Sequence, residues 1–161
     1  YLGKKLGDIL PMEIYQRQRA SEDWIWQPAS EDAQHYSFAA VRPASKGSPD
    51  VVLELSLSGT IDPESIHGVL NGDLPWYRLS IPEPNRDHLK SKAQWQEFSE
   101  RYHRALARIS ADAGKGCTIH MFPAVPVSAA VQMGRSLLPK ADASIQVYDF
   151  NDNEWSKAVT L

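Results

Sequence analysis

The stretch that decides the fold is residues 117–135, CTIHMFPAVPVSAAVQMGR. Its pattern predicts a short strand over 118–122, a turn braced by two prolines, and a helix that opens near Ser128. A strand that feeds a helix through a tight turn is typical of parallel α/β sheets, and the N-terminus of such a helix offers unpaired N–H groups to an anion. The same pattern is also typical of a plain strand-to-helix connection, so alone it predicts a fold rather than a function.

Size and composition set the class of protein. The chain has 161 residues, 42% hydrophobic and 23% charged, which fits one ordinary globular domain. A net charge of −3 argues against a general nucleic-acid-binding surface, although it leaves room for a small basic pocket. The single cysteine, Cys117, excludes an internal disulfide, and its place at the start of a strand favours core packing. With no apolar run near the roughly 18 residues of a membrane span and no signal peptide visible, we expect no membrane partner.

Strands and helices alternate outward from this stretch, beginning at Val51. The segment VVLELSL, 51–57, predicts a strand with leucines on one face and polar side chains on the other. The remaining predicted elements are a helix from the N-cap Asp62 and Pro63 to about Leu70, a strand at 76–81, a long amphipathic helix at 88–111, and strands at 144–149 and 157–161. The order β-α-β-α-β-α-β-β predicts an α/β fold with a Rossmann-like, mainly parallel sheet and helices on both faces.

The N-terminal part indicates an internal repeat. It predicts a helix over 2–10 and strands over 13–17 and 35–42, and LGKKL followed by Ile-Tyr and Trp recurs as MGRSL followed by Val-Tyr and Trp near the C-terminus. A duplication would give two related lobes, with the remainder of the first in 1–50 and the second in 51–161. Chance similarity between two strand–helix units is the alternative. Since the chain begins at Tyr1 inside a predicted helix, we expect a fragment whose first lobe is truncated.

No residue pattern predicts catalysis or a metal. The five histidines are scattered without metal-ligand spacing, and there is no cysteine cluster. Lys115 lacks the frame of a phosphate-binding loop, and Ser58 lacks the preceding glycine of a nucleophile elbow. Asp149, at a predicted strand end, would suit a general base, a bond to a ribose hydroxyl, or a solvated position. We therefore expect neither catalytic residues nor a cofactor.

Ligand binding is better supported than catalysis. Ligands of open α/β sheets lie beyond the carboxyl ends of the strands. Hydroxyls, a glycine, basic side chains and aromatic rings gather there, which suits a compact phosphodiester ligand with bases to stack on. Arginine and tryptophan at such positions are also common as solvated charges and packing groups. The candidates are Gln16, Arg17, Arg19, Trp24, Ser56, Ser58, Gly59, Phe122, Pro123, Ala124, Tyr148 and Asp149.

Four stretches resemble one known family over most of the chain. They are YQRQRASEDWIW at 15–26, VVLELSLSG at 51–59, IHMFPAVPVSAAVQMGR at 119–135 and IQVYD at 145–149. Together they look like the SAVED domain. The resemblance is most specific at the FPAVP turn and the helix after it. The resemblance implies two fused CARF-like halves, in agreement with the repeat.

The resemblance also implies a function. SAVED domains are sensors of bacterial cyclic-oligonucleotide (CBASS) anti-phage signalling, fused to effectors such as an HNH endonuclease, so DNA would be met only through an effector that is not visible here. A cyclic di- or trinucleotide made by a CD-NTase-type nucleotidyltransferase would bind between the lobes in the bacterial cytoplasm, and homo-oligomerisation would follow. The implied contacts are Tyr15 to Arg19 from the first lobe, and Ser58, Gly59 and the turn from Phe122 to Pro126 from the second. A ring nuclease that cleaves its cyclic ligand, and a ligand-free oligomerisation module, remain alternatives.

Overall fold

The computed structural model of the chain is a mixed α/β fold built on one six-stranded sheet. It describes residues 2–6, 12–19, 21–30, 33–70, 72–137 and 143–161. In chain order the elements are α1 (Leu2–Leu6), β1 (Ser37–Arg42), β2 (Asp50–Ser56), α2 (Pro63–His67), β3 (Trp76–Ser80), α3 (Lys92–Ala113), β4 (Thr118–Ala124), α4 (Val127–Arg135), β5 (Ser144–Asn151) and β6 (Glu154–Thr160).

The sheet is parallel in its middle and antiparallel at its two edges. Its strand order is β1-β3-β2-β4-β5-β6. The four inner strands run parallel, as expected for strands joined by helical crossovers, whereas β1 and β6 pair antiparallel with β3 and β5. The prediction of a Rossmann-like, mainly parallel sheet is therefore confirmed.

Both faces of the central strand β2 are buried, which is typical of a parallel strand covered on two sides. Leu53, Leu55 and Leu57 belong to the main core, beneath α3 and α4. Val52 points to the other face, where it joins a second apolar cluster with Ile66 of α2. Helices thus cover both faces of the sheet, as predicted, although the polar face expected for this strand is buried as well.

Local capping explains where α2 and α3 begin. The Asp62 carboxylate accepts the backbone N–H of Glu64 at 3.1 Å, and Pro63 follows as the first residue of α2. Ser91 caps α3 through a capping box with Gln94, so this helix begins at Lys92 rather than at residue 88. The predicted N-cap is confirmed, and α2 ends at His67 rather than near residue 70.

The N-terminal predictions have mixed outcomes. The first helix is present over Leu2–Leu6, and the rest of its predicted range lies outside the described residues. The strand predicted over 13–17 is wrong: this stretch forms a single antiparallel bridge, between Arg17 and Trp24. It cannot extend into a ladder, because its backbone bonds return to its own loop rather than to a neighbouring strand. The strand predicted over 35–42 is confirmed as β1.

Two glycines allow α1 and α4 to cross with their backbones in contact. A Cβ atom on Gly134 would lie 2.9 Å from the backbone nitrogen of Lys4 and 3.1 Å from Cα of Gly3. A Cβ atom on Gly3 would collide with the carbonyl oxygen of Val131. Since only glycine lacks this atom, the crossing requires glycine on both helices. These two residues also occupy the same place in the repeat seen in the sequence.

The first prediction concerns this crossing. We expect Gly134→Ala to lower the free energy of unfolding by about 1–3 kcal/mol, because the added methyl group overpacks a backbone contact. Amide hydrogens of α1 should also exchange faster. Urea unfolding and hydrogen exchange measure both effects.

Gly68 supplies the matched control for this substitution. A Cβ atom there would meet nothing closer than 3.6 Å, and the backbone is already helical. Gly68→Ala should leave stability unchanged or raise it by up to about 1 kcal/mol. Equal stability of the two variants would contradict a close crossing.

Candidate ligand-binding site

A cleft of about 570 Å³ opens beside the junction of β4 and α4. One wall is the start of α4, and the other is the irregular segment formed by residues 12–19 and 21–30, which we call the cleft loop. The cleft is lined by Tyr15, Gln16, Arg17, Arg19, Glu22, Trp24, Val127 and Ser128. Ligands of open α/β sheets bind at this end of the strands, so the position of the cleft agrees with its fold.

The junction of β4 and α4 leaves a helix N-terminus open to the cleft. β4 runs through Pro123 to Ala124, beyond the predicted end at residue 122. The carbonyl oxygen of Ala124 accepts the backbone N–H groups of Leu57 and Ser58 at 3.0 and 2.7 Å, which ties the ends of β4 and β2 together. Pro126, the N-cap, makes no side-chain capping bond, so the first turn of α4 keeps a partial positive charge and unpaired N–H groups.

The cleft loop is closed by bonds within itself. The backbone N–H of Gln18 donates to the carbonyl of Asp23 at 2.8 Å, next to the bridge between Arg17 and Trp24. The indole N–H of Trp26 donates to the carbonyl of Ile14 at 3.0 Å and closes the base of the loop. These bonds give a non-repetitive segment a defined shape.

The loop presents its aromatic and basic side chains to solvent at the cleft. The side chains of Trp24 and Tyr15 are 63% and 44% exposed, which is unusual for groups of this size. Arg17 lies 3.6 Å from Glu22 and Arg19 lies 3.7 Å from Asp87, and all four side chains are more than half exposed. Exposed ion pairs contribute little to stability, so both guanidinium groups can exchange these partners for an anion at small cost.

One hydrogen bond joins the two walls of the cleft. The hydroxyl of Ser128, in the first turn of α4, donates to Oε1 of Gln16 at 2.7 Å. Ser128 is almost fully buried and Gln16 is half-buried, so this bond is partly shielded from solvent. Three lining residues are absent from the sequence-based candidates: Glu22, Val127 and Ser128. The signal that could have found Ser128 is a hydroxyl at the start of a helix that follows a strand.

The structure places the other candidate residues in several environments. Phe122 and Tyr148 stack on each other in the second apolar cluster, with ring centroids 4.4 Å apart, and neither lines the cleft. Pro126 is buried, and Ser58, Gly59, Pro123 and Ala124 are half-buried near the ends of β2 and β4. Asp149 is exposed on β5, where its carboxylate accepts the backbone N–H of Phe150 and the side-chain amide of Asn151. The structure therefore gathers Tyr15, Gln16, Arg17, Arg19 and Trp24 in one cleft and leaves the rest outside its lining.

Ser56 belongs to a buried polar network. Its hydroxyl donates to Glu54 at 2.7 Å, and the same carboxylate accepts the indole N–H of Trp76 at 2.9 Å and Nε of Arg78 at 2.8 Å. Glu54 is 1% exposed, and a buried carboxylate requires such partners. The hydroxyl of Ser56 also accepts the N–H of Ile61 at 3.3 Å, so it shapes the loop after β2 rather than facing a ligand.

A second chain of polar side chains crosses the sheet near the start of β2. Nε2 of His120 lies 2.9 Å from the carboxylate of Asp50, and Nδ1 lies 2.9 Å from the hydroxyl of Tyr148. Burial, and then the charge of Asp50, raise the pKa of Tyr148. These contacts pair the polar side chains of Asp50, His120 and Tyr148 on three strands, and none of the three residues lines the cleft.

The sheet, its crossover helices and the cleft at the strand ends together define a Rossmann-like ligand-binding domain. A family model described as the SMODS-associated and fused to various effectors sensor domain, SAVED, matches residues 1–161, and the chain belongs to this family. A comparison with curated protein sequences finds no match. None of the described helices is both long and apolar enough to cross a bilayer.

Solved structures with a similar fold include two of a Cap4 SAVED/CARF-domain containing receptor from Acinetobacter baumannii. The one with the cyclic trinucleotide 2'3'3'-cAAA has a TM-score of 0.64 and 16% identity, covering 89% of this chain and 31% of the receptor. The one with 3'3'3'-cAAA has a TM-score of 0.62 and 17% identity, covering 81% of this chain and 30% of the receptor. The chain therefore spans less than a third of each receptor, and at this identity the likeness shows the fold.

A second prediction follows from His88, which lies in the segment that supports the cleft loop. Burial lowers its pKa, partly offset by a 2.9 Å contact between Nδ1 and the carbonyl of Asn85. The unfolded imidazole titrates near pH 6.5, so below that pH the unfolded chain binds a proton that the folded chain does not. We therefore expect the contribution of His88 to the free energy of unfolding to be complete above about pH 6.5 and to decrease as the pH falls below that value.

Urea unfolding of a His88→Asn variant, between about pH 7.5 and pH 5, measures this contribution. Asparagine keeps a donor toward the carbonyl of Asn85 and does not titrate, so the variant should lose less stability on acidification. His103 lies exposed on α3, and His103→Asn is the control that should keep the parent's pH dependence. An unchanged slope for His88→Asn would contradict the prediction.

Proposed function

We propose that this chain is the ligand-recognition module of a sensor that binds a cyclic di- or trinucleotide. The observation that carries the proposal is the convergence of Arg17, Arg19, Trp24 and the start of α4 on one cleft in a SAVED sensor domain. The similar receptors from Acinetobacter baumannii, solved with cyclic trinucleotides, support the same class of ligand.

Each part of the cleft suits one part of such a ligand. Guanidinium groups form charge-assisted, bidentate hydrogen bonds with phosphodiester oxygens, so Arg17 and Arg19 would bind phosphate. The open first turn of α4 would add N–H donors and a favourable dipole. The exposed rings of Trp24 and Tyr15 would stack on bases, which fixes a base without selecting it strongly. The chemistry required is binding, and no residue is assigned a catalytic role.

The same proposal divides the chain into two CARF-like lobes, with the remainder of the first in 1–50 and the second in 51–161. The crossing at Gly3 and Gly134 supports it, because equivalent residues of two copies meet when a two-fold relates them. The bond between Gln16 and Ser128 would then join the lobes at the ligand. A ligand held between lobes contacts both, so it can favour one arrangement of them.

The consequence of binding would be activation of a fused effector, a DNA nuclease of the HNH type, through self-association. A ligand shifts such an equilibrium only by its differential affinity for the two states, so the associated state must offer it better contacts. A CD-NTase-type nucleotidyltransferase in the bacterial cytoplasm would supply the ligand. The chain itself would act as a sensor and not as an enzyme.

The experiment that tests the function is thermal unfolding of the full-length protein against cyclic di-, tri- and tetranucleotides, with linear nucleotides of the same composition as controls. A ligand at 100 times its Kd should stabilise the native state by about 2.7 kcal/mol, which raises Tm by several degrees. No shift with any cyclic member would overturn the proposal and favour an oligomerisation module. Cleavage of the ligand during incubation would favour a ring nuclease instead.

Two substitutions test the assigned contacts with the ligand that stabilises the parent protein. Arg17→Ala should weaken binding by about tenfold or more through loss of charge-assisted hydrogen bonds. Trp24→Ala should weaken it by about 5- to 150-fold through loss of base stacking. Isothermal titration measures both, and because both side chains are exposed, stability should change by less than about 0.5 kcal/mol.

Matched controls are available at exposed positions outside the cleft lining. Arg104 on α3 pairs with Glu100 at 3.8 Å, and Phe150 on β5 is 47% exposed. Arg104→Ala and Phe150→Ala should bind the ligand as the parent does. Unchanged affinity in both cleft variants would remove this cleft as the binding site.

A further inference from the structure

Gln18 lies in the cleft loop but faces away from the cleft. Its neighbours Arg17 and Arg19 line the cleft, whereas Gln18 is 5% exposed and packs into the protein. This alternation is expected of extended backbone, in which successive side chains point to opposite sides. A glutamine buried to this degree needs hydrogen-bond partners, since an unpaired amide in the interior is costly.

The partners of Gln18 are backbone carbonyls from three places in the chain. Its side-chain amide lies 3.2 Å from the carbonyl oxygen of Ile25, 3.4 Å from that of Gln16 and 3.5 Å from that of Lys90. Gln16 and Ile25 belong to the outgoing and returning arms of the cleft loop. One amide group therefore connects both arms of the loop with the segment that precedes α3.

That segment is itself held by the cap of α3. Oε1 of Gln94 accepts the backbone N–H groups of Lys90 and Ser91 at 3.0 and 3.1 Å, and its Nε2 donates to the carbonyl of His88 at 2.9 Å. With its N–H fixed in this way, Lys90 presents its carbonyl to the loop, where it also accepts the backbone N–H of Gln27 at 2.9 Å. The longest helix thus provides a fixed support for the loop.

We propose that Gln18 is the positioning residue of the binding cleft: its amide ties both arms of the cleft loop to the cap of α3 and so sets where Arg17, Arg19 and Trp24 stand. This deepens the proposed function and rests on it for its effect on ligand affinity. The tie itself exists without ligand, so it is measurable in the free protein.

The test compares Gln18→Met with Gln18→Glu. Both side chains have nearly the shape of glutamine, but methionine lacks donors and an ionised glutamate turns negative oxygens toward three carbonyls. We expect backbone amides of the cleft loop to exchange about tenfold faster in Gln18→Met than in the parent, because the donated hydrogen bonds are lost. Exchange should be faster still in Gln18→Glu, because its negative oxygens also repel the carbonyl oxygens. Amides of β2 and β4 should keep the parent's rates, because the loop opens without unfolding the sheet.

Gln96, exposed on α3, is the control: Gln96→Met and Gln96→Glu should leave the loop unchanged. If Gln18 acted only by filling space, the two Gln18 variants would exchange alike and like the parent, and the proposal would be overturned.

A second arm measures titration of the full-length protein with 3'3'3'-cAAA. If the parent binds, both Gln18 variants should bind at least about tenfold more weakly. Parent-like affinity in a variant whose loop is loosened would overturn the proposed role. If the parent itself does not bind this probe, 3'3'3'-cAAA is not its ligand, and the exchange rates in the free protein alone decide whether Gln18 positions the loop.

Discussion

A buried carboxylate in the central strand constrains everything around it. Glu54 stands at the middle of β2 with almost no contact with solvent, and three side chains must reach it. Two of those partners, Trp76 and Arg78, come from β3, so the pairing of these strands cannot slip without leaving a charge unpaired. The third partner, Ser56, also accepts the backbone N–H of Ile61 and so holds the loop that follows β2. The network thus fixes both the register of β2 against β3 and the start of the loop that follows β2.

The cleft combines this rigid edge with a segment that has no regular structure. α4 is placed by the ladder of β4 and by the carbonyl of Ala124, whereas the cleft loop is placed by a few side-chain bonds from Gln18 and Trp26. In such an arrangement the sheet fixes the start of α4, whereas the aromatic and basic groups lie on a segment without regular structure, a kind of segment that generally opens more easily than a sheet.

Much of the fold could be predicted from the sequence because apolar periodicity and capping residues act locally. The alternation of strands and helices after Val51 and the cap at Asp62 have direct physical causes, and both appear in the structure. The end of β4 was missed because proline lacks an N–H group and normally interrupts a strand. Pro123 still pairs with Leu55 of β2, but β5 pairs with β4 only as far as Met121, so on the β5 side no ladder bond needs the N–H group that proline lacks.

The site was only partly predictable, since a side chain at a strand end can point to either face. Phe122 and Tyr148 have aromatic rings that could stack on bases, but both side chains are buried in the second apolar cluster, beneath α2. The roles of Gln18 and Ser128 depend on partners far away in the chain, Lys90 and Gln16, which no local pattern reveals. The basic and aromatic residues at 15–24 were predicted from the resemblance to the SAVED family and from a strand over 13–17 that the structure does not contain, so their place at the cleft did not follow from the local pattern.

The glycine crossing between α1 and α4 has a consequence for how the sequence can change. A Cβ atom on Gly134 would meet the backbone of Gly3 and Lys4, and a Cβ atom on Gly3 would meet the backbone of Val131 and Arg135. Each glycine is therefore required by backbone atoms of the opposite helix and not by a side chain. Since a substitution cannot remove backbone atoms, no change of residue on one helix makes room for a side chain at the glycine of the other while the helices stay in contact.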